Sequence, residues 1–211
     1  MELSVKLKLV SIAVILALAG CASTKSGEGE GPVKTQKLST SFAGEKIKIE
    51  TTCTWYKPLK NDCEIIAIES TATATSFGNT ANNRKNALTV AEMRANAQVA
   101  EFISKDISTT RVTNTIAKNL EKANDKVKSG ANDDKTVEMS EKEAANISLR
   151  ENNNETVHTL TETIRTNSQA ILKGFMKINE EVVGNQEVLV TIRWDKDSER
   201  AADTLRKKFQ Q

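Results

Sequence analysis

The segment Lys46–Trp55, with the sequence KIKIETTCTW, sets the architecture because its apolar and polar side chains alternate. The apolar face carries Ile47, Ile49, Cys53 and Trp55, and the other face is polar. A period of two is typical of a strand that is buried on one side only. The segment therefore predicts a half-buried β-strand, and its neighbours in the sequence extend it into a sheet.

A second β-prone segment, Cys63–Thr75, follows after a short polar turn. Two such segments predict an antiparallel hairpin. Cys53 and Cys63 fall near facing positions of this hairpin, where Cα separations suit a disulfide. We therefore predict a Cys53–Cys63 disulfide. The alternative is redox catalysis, which normally uses two cysteines separated by two residues rather than this wider spacing.

From Ala81 the period of the apolar residues becomes helical. Ala87, Ala91 and Ala95 share one face, and Val99 and Phe102 extend it. This predicts a helix of five or six turns. Because alanine lets a helix approach closely, we expect the helix to cover the sheet formed by the strands before and after it.

Residues 107–168 carry only a narrow apolar stripe, in two helical patterns separated by a polar turn near Gly130. So thin a stripe buries too little surface to hold long helices alone. We predict a polar helical hairpin that projects from the domain or contacts neighbouring subunits; the alternative is a partly disordered excursion. The possible oligomer contacts are Val112, Ile116, Leu120, Val127 and Leu160.

The C-terminal third returns to strands. Residues 172–178 and 188–194 alternate around a turn at Gly184-Asn185, which predicts a second hairpin. A last amphipathic helix with Ala201, Leu205 and Phe209 on one face then packs back on the sheet. The predicted fold class is α+β, with an antiparallel sheet of about four strands packed by the Ala-rich helix and the C-terminal helix, and with the long helical hairpin.

The N-terminus has the features of a secretory signal. Lys6 and Lys8 precede the apolar run Leu9–Leu18, and small residues lead to Cys21. This pattern resembles the bacterial lipobox, in which Cys21 becomes the acylated first residue; the alternative is an ordinary secretory peptide that leaves Cys21 a free thiol. We expect a signal peptide at 1–20, a flexible tether at 21–41 and one domain at 42–211.

Composition bounds the function. The formal net charge is only +2, and aromatic residues make up 4% of the chain, so neither a nucleic-acid surface nor an aromatic-lined substrate pocket is indicated. The single histidine, His158, lies among threonines without further ligands at metal-binding spacing. We find no catalytic motif. We therefore expect no enzyme activity, no metal, no cofactor and no small-molecule substrate.

Four segments together resemble the Lpp-twenty family of small bacterial outer-membrane lipoproteins, which includes a flagellar basal-disk lipoprotein. They are the strand Glu64–Ile68, the helix Asn83–Ile103, and the closing runs Leu172–Phe175 and Val188–Trp194. The resemblance implies an α+β domain, lipid anchoring, no enzyme activity and, in flagellar members, assembly into rings.

These observations favour a lipoprotein on the periplasmic face of the bacterial outer membrane. The residue after Cys21 is Ala22 rather than aspartate, and this resembles the pattern by which enterobacterial lipoproteins are sorted to the outer membrane. The expected role is structural or assembly-related, through self-association or envelope protein partners such as the flagellum. The alternative is a monomeric module that binds peptidoglycan, a surface polymer or a partner protein through a sheet edge or the strand ends at Trp55 and Trp194. A weaker possibility is a surface-exposed adhesin.

Overall fold

A computed structural model describes residues 32–56, 60–130, 135–145, 154–184, 186–197 and 199–200. These residues belong to one compact unit that begins at Pro32. Cys21, the first part of the predicted tether and the predicted helix of Ala201, Leu205 and Phe209 lie outside the described residues. Among the described helices, none combines the length and the apolar character needed to cross a membrane.

The fold is α+β, as predicted, and is built on a six-stranded mixed sheet with the strand order β4-β1-β2-β3-β6-β5. The strands are β1 Pro32–Phe42, β2 Ile47–Tyr56, β3 Lys60–Thr75, β4 Val137–Ser140, β5 Met176–Val183 and β6 Glu187–Asp195. The helices are α1 Ala81–Glu101, α2 Thr110–Lys128, α3 Glu141–Ala144, α4 Asn154–Thr166 and α5 Ser168–Lys173, and a π-helical turn, Phe102–Asp106, continues α1.

The two predicted hairpins are confirmed. β2 pairs antiparallel with β3, and β5 pairs antiparallel with β6. The alternation along β2 is that of the sequence, since Ile47, Ile49, Thr51, Cys53 and Trp55 are buried and the residues between them are half-buried. The second hairpin starts later than predicted, because Leu172 belongs to α5 and the strand begins at Met176.

The Ala-rich helix α1 packs on β3 and β6, as the sequence predicted. Ala87, Ala91, Ala95 and Val99 are its buried residues. The helix starts after Thr80, whose hydroxyl accepts a hydrogen bond from the Asn83 amide and so satisfies one free donor of the first turn. α1 therefore covers β3 and β6, while all eight residues of β5 stay exposed.

The expectation of a sheet of about four antiparallel strands was wrong, because two strands were missed. Residues 32–41 belong to β1 and not to a flexible tether. Gln36 and Thr40 occupy buried positions of β1, so the strand shows no apolar alternation in sequence. β4 lies in a segment predicted to be helical, is only four residues long and pairs in parallel with β1.

The segment predicted as a projecting helical hairpin is part of the core. α2 packs on β1, and Asn119 of α2 donates hydrogen bonds to the Ser39 carbonyl (3.0 Å) and to the Thr40 hydroxyl (2.7 Å). The buried face of α2 includes Thr115 and Asn119 beside its apolar residues. An apolar count therefore underestimates the width of this face, since its polar members find hydrogen bonds inside the protein.

Candidate interaction surface

The predicted oligomer contacts are buried inside the chain. Val112, Ile116, Leu120 and Leu160 belong to the hydrophobic core, and Leu120 is only 1% exposed. Val127 is half-buried against the cluster that contains Trp55. This part of the prediction was wrong, because the stripe packs on the sheet of its own chain. Contacts between subunits would have to use other residues.

The predicted disulfide is present. Cys53 and Cys63 are directly opposite each other in β2 and β3, with their Cα atoms 4.1 Å apart, and the two sulfurs are bonded. The bond links the two strands near their turn. Its position within a regular hairpin agrees with a structural role, which is the use that buried or half-buried cystines usually have.

Neither tryptophan forms a rim at the surface. Trp55 is 1% exposed and its indole N–H donates to the Asn124 side chain, while Trp194 is 6% exposed. A Cβ on Gly174 would lie 2.6 Å from Cδ1 of Trp194, so the chain passes the indole at a position where only glycine fits without movement. The tryptophan residues therefore pack the sheet from inside.

A cluster of charged residues lies on the face of the sheet opposite the helices. Arg193 of β6 pairs with Glu50 of β2 at 3.0 Å and with Glu69 of β3, and Lys48 pairs with Glu50 at 2.9 Å. Burial alone would raise the pKa of Glu50, but the hydrogen bonds from Lys48 and Arg193 outweigh it and hold that pKa below its usual value. The cluster ties three adjacent strands together.

The described surface includes two grooves whose lining residues do not form a catalytic group. One, of about 390 Å³, lies beside the β1–β2 turn and is lined by Lys46, Arg94 and Gln98 among others. The second, of about 340 Å³, lies between α4 and the ends of β3 and β6. Among the residues that the structure describes, no group of three or more His, Cys, Asp or Glu could hold a metal ion. His158 is exposed on α4.

The edge strand β5 differs from the rest of the sheet. All eight of its residues are exposed, and in the described structure it pairs only with β6. Four of the eight are large apolar residues, and Ile178 is 53% exposed. We call these four the β5 surface: Met176, Ile178, Val182 and Val183.

Three further exposed apolar residues lie on α1 or just before it, and α1 packs on β6, the neighbour of β5. Phe77 is 87% exposed and Met93 is 67% exposed, and Val90 is also exposed. The Ser76 amide donates to the Gln186 carbonyl at 2.6 Å, which holds the Phe77 segment beside the β5–β6 turn. Together with the β5 surface, these are all the exposed large apolar residues of the described part of the chain. They lie on β5 and on the segment Phe77–Met93, whose helical part packs on the adjacent strand β6.

The opposite edge of the sheet is short and closed. β4 has four residues, and Val137 and Met139 are buried. Lys122 of α2 donates to the Glu138 carbonyl at 2.9 Å, and the capping box of Ser140 and Glu143 begins α3 directly after the strand. Short edge strands with such cover resist pairing with other chains. The two edges are therefore not equivalent, and β5 is the open one.

The fold and this surface define an α+β protein with one open, apolar sheet edge in its described part. No protein-family model, curated protein or solved structure matches the chain. The sequence predicts the strand that carries the β5 surface but not the exposure of that strand. The alternation of Met176 and Ile178 suits a half-buried strand equally well, and only the strand order shows that β5 is at the edge.

Proposed function

We propose that the chain is a lipid-anchored protein of the outer membrane, on its periplasmic face, with a structural or assembly role carried out by protein–protein contacts. The observation that carries the proposal is the concentration of seven exposed large apolar residues on β5 and on the segment Phe77–Met93. Exposed apolar patches on otherwise polar proteins usually mark interaction sites. The lipobox-like sequence at Cys21 supports the anchoring.

The form of the surface favours a protein partner over a small molecule. An exposed strand edge offers backbone N–H and C=O groups in a row, and extended segments of other proteins bind such edges by continuing the sheet. The apolar side chains on both sides of β5 would add affinity. The resemblance to the Lpp-twenty family supports oligomers or rings with envelope machinery such as the flagellum.

The second candidate is a monomeric module that binds peptidoglycan, a surface polymer or a partner protein. The groove of about 340 Å³ favours it, because the apolar residues Ile65, Leu160 and Ile171 line it together with the polar Asp62 and Lys196. A cell-wall pull-down with purified protein separates the two candidates. Retention on cell wall that Thr163→Lys abolishes, with the fold intact, would favour the second, because Thr163 lines the same groove at an exposed position of α4.

Two experiments test the leading proposal. Mass spectrometry of the native N-terminal peptide should find acyl chains on Cys21, and a Cys21→Ser variant should lose them and leave the membrane fraction. A peptide without any acyl chain would refute the anchoring.

For the contacts, chemical cross-linking in intact envelopes should capture protein partners with the native chain and not with Val182→Asp. His158→Asp is the matched control, because it adds the same charge at an exposed position of α4 away from the β5 surface. Equal capture by all three proteins would refute the assignment of the surface.

A further inference from the structure

β5 is a long strand for an edge that no other described strand covers. It runs for eight residues, twice the length of the edge strand β4. A strand that is paired on one side presents unpaired N–H and C=O groups on the other, and a second strand can pair with them. The length and apolar content of β5 therefore raise the question of which chain pairs with it.

Two residues of opposite charge, Lys177 and Glu180, lie on the same face of β5. The pairing of β5 with β6 shifts register between Lys177 and Asn179, and this bulge places Lys177 opposite Ile192 and Glu180 opposite Val190. Ile192 and Val190 are buried under the helices, so Lys177 and Glu180 both lie on the helix side of the sheet. They form an ion pair at 2.6 Å within the strand.

A two-fold axis perpendicular to the sheet, passing between Ile178 and Asn179, pairs this strand with its own copy. In that register Lys177 faces Glu180 of the second copy, and symmetry repeats the pair. Met176 faces Glu181 of the second copy, and no like charges are opposed. Opposite residues of an antiparallel pair share a face, and the pairs Lys177–Glu180 and Met176–Glu181 both obey this rule.

The same register covers apolar side chains. Val183 of the second copy lies diagonal to Met176, within reach of a long side chain. Val182 of the second copy lies diagonal to Lys177, whose methylene stem can pack on it while the ammonium group pairs with Glu180. Three of the four residues of the β5 surface thus gain contacts, and the fourth, Ile178, lies beside the axis, without any change in the fold.

We infer that the occupant of the β5 edge is a second copy of this chain, bound antiparallel through β5 so that the two six-stranded sheets become one. The inference rests on the proposed function, in which this surface makes protein contacts, and names the partner. It requires neither the lipid anchor nor a particular envelope machine.

Charge reversal in two variants tests the pairing. The full chain with Cys21→Ser is used throughout, so that acylation does not drive association, and sedimentation velocity reports the oligomeric state. Lys177→Glu sets two carboxylates opposite each other, because the substituted side chain faces Glu180 of the copy. Glu180→Lys likewise sets two ammonium groups opposite each other, because the substituted side chain faces Lys177 of the copy. Each variant alone should dimerise about tenfold or more weakly than the parent.

An equimolar mixture of the two variants should recover the dimer, because each carboxylate then faces an ammonium group across the interface. This recovery distinguishes contact between copies from a loss of the ion pair within β5, which mixing would not repair. Lys142→Glu, an exposed charge reversal on α3, is the matched control and should dimerise like the parent. Far-UV circular dichroism confirms that every variant is folded.

A disulfide test checks the register without charge changes. Oxidation of a mixture of Ile178→Cys and Asn179→Cys chains, carrying different tags, should cross-link the two chains. A Thr110→Cys chain, altered at an exposed position of α2, should not cross-link to either. A parent that stays monomeric at high concentration, or a dimer that the mixture and the cysteine pair do not report, would overturn the inference. Partner capture in envelopes that still depends on Val182 would then leave the proposed function standing.

Discussion

Replacing Asn119 with alanine tests whether α2 belongs to the core. Asn119 is fully buried and donates hydrogen bonds to the Ser39 carbonyl and the Thr40 hydroxyl of β1, at 3.0 Å and 2.7 Å. Each lost hydrogen bond costs about 1 kcal/mol, and acceptors that are left buried without a donor add to this cost. Alanine recovers about 0.5 kcal/mol through its higher helix propensity. The expected net loss in the free energy of unfolding is about 2 kcal/mol.

Urea unfolding followed by circular dichroism measures this loss, and thermal unfolding should show a midpoint lower by about 4–8 °C for a domain of this size. Asp125→Ala is the control, because Asp125 is exposed on the same helix and should change stability by less than about 0.5 kcal/mol. A projecting hairpin would give the opposite sign, since alanine at a solvated helix position stabilises. An Asn119→Ala protein as stable as the parent, or more stable, would refute the packing of α2 on β1.

Three further changes have defined outcomes. Gly174→Ala should lower the free energy of unfolding by about 1–3 kcal/mol, because its Cβ would lie 2.6 Å from Cδ1 of Trp194; an unchanged denaturation midpoint would contradict that close approach. Replacing both Cys53 and Cys63 with serine should cost about 2–3 kcal/mol by the loop-closure estimate, measured against the parent under non-reducing conditions, whereas equal stability would show that the bond constrains little. The pKa of Glu50 is lowered in the folded protein, so its contribution is present above the unfolded value of 4.5 and is lost as pH falls through the folded pKa. Stability measured from pH 6 to about pH 3 should therefore fall less steeply in Glu50→Gln than in the parent, and parallel curves would contradict the shift.

The parts of the fold that the sequence predicted are those in which one side of an element is apolar and the other polar. The buried positions of β2 are all apolar except Thr51. α1 shows the same pattern through three alanines spaced four residues apart. In both elements the buried positions recur with the same period as the apolar residues, so the apolar pattern in the sequence predicts which positions are buried.

The failures have one physical cause, which is that buried positions were filled by polar side chains. Gln36 and Thr40 in β1 and Asn119 in α2 are all buried. Gln36 donates to the Lys135 carbonyl at 3.3 Å, and Asn119 bonds to β1. Each hydrogen-bond partner lies about 80 or more residues away in sequence, so no local pattern predicts that such a polar side chain is hydrogen-bonded in the interior. The parallel pairing of β4 with β1 is equally non-local.

The surface was unpredictable for a different reason. The exposure of β5 depends on its place in the strand order and on how far α1 extends across the sheet. Neither property can be inferred from the eight residues of the strand. The same sequence between two other strands would be a core element. Edge position is a property of the whole topology, and the β5 surface follows from it.

The place of β1 in the sheet has a mechanical consequence. The strand lies between β2 and β4 and is bonded to β2 along nearly its whole length, from Pro32 to Phe42. A pull that enters at Pro32 runs along the strand, so it shears many hydrogen bonds at once instead of opening them one after another. Because β1 is bonded to a strand on each side, whereas β5 in the described structure is bonded only to β6, a load applied through Pro32 meets more strand-to-strand hydrogen bonds than a load applied through the edge strand β5.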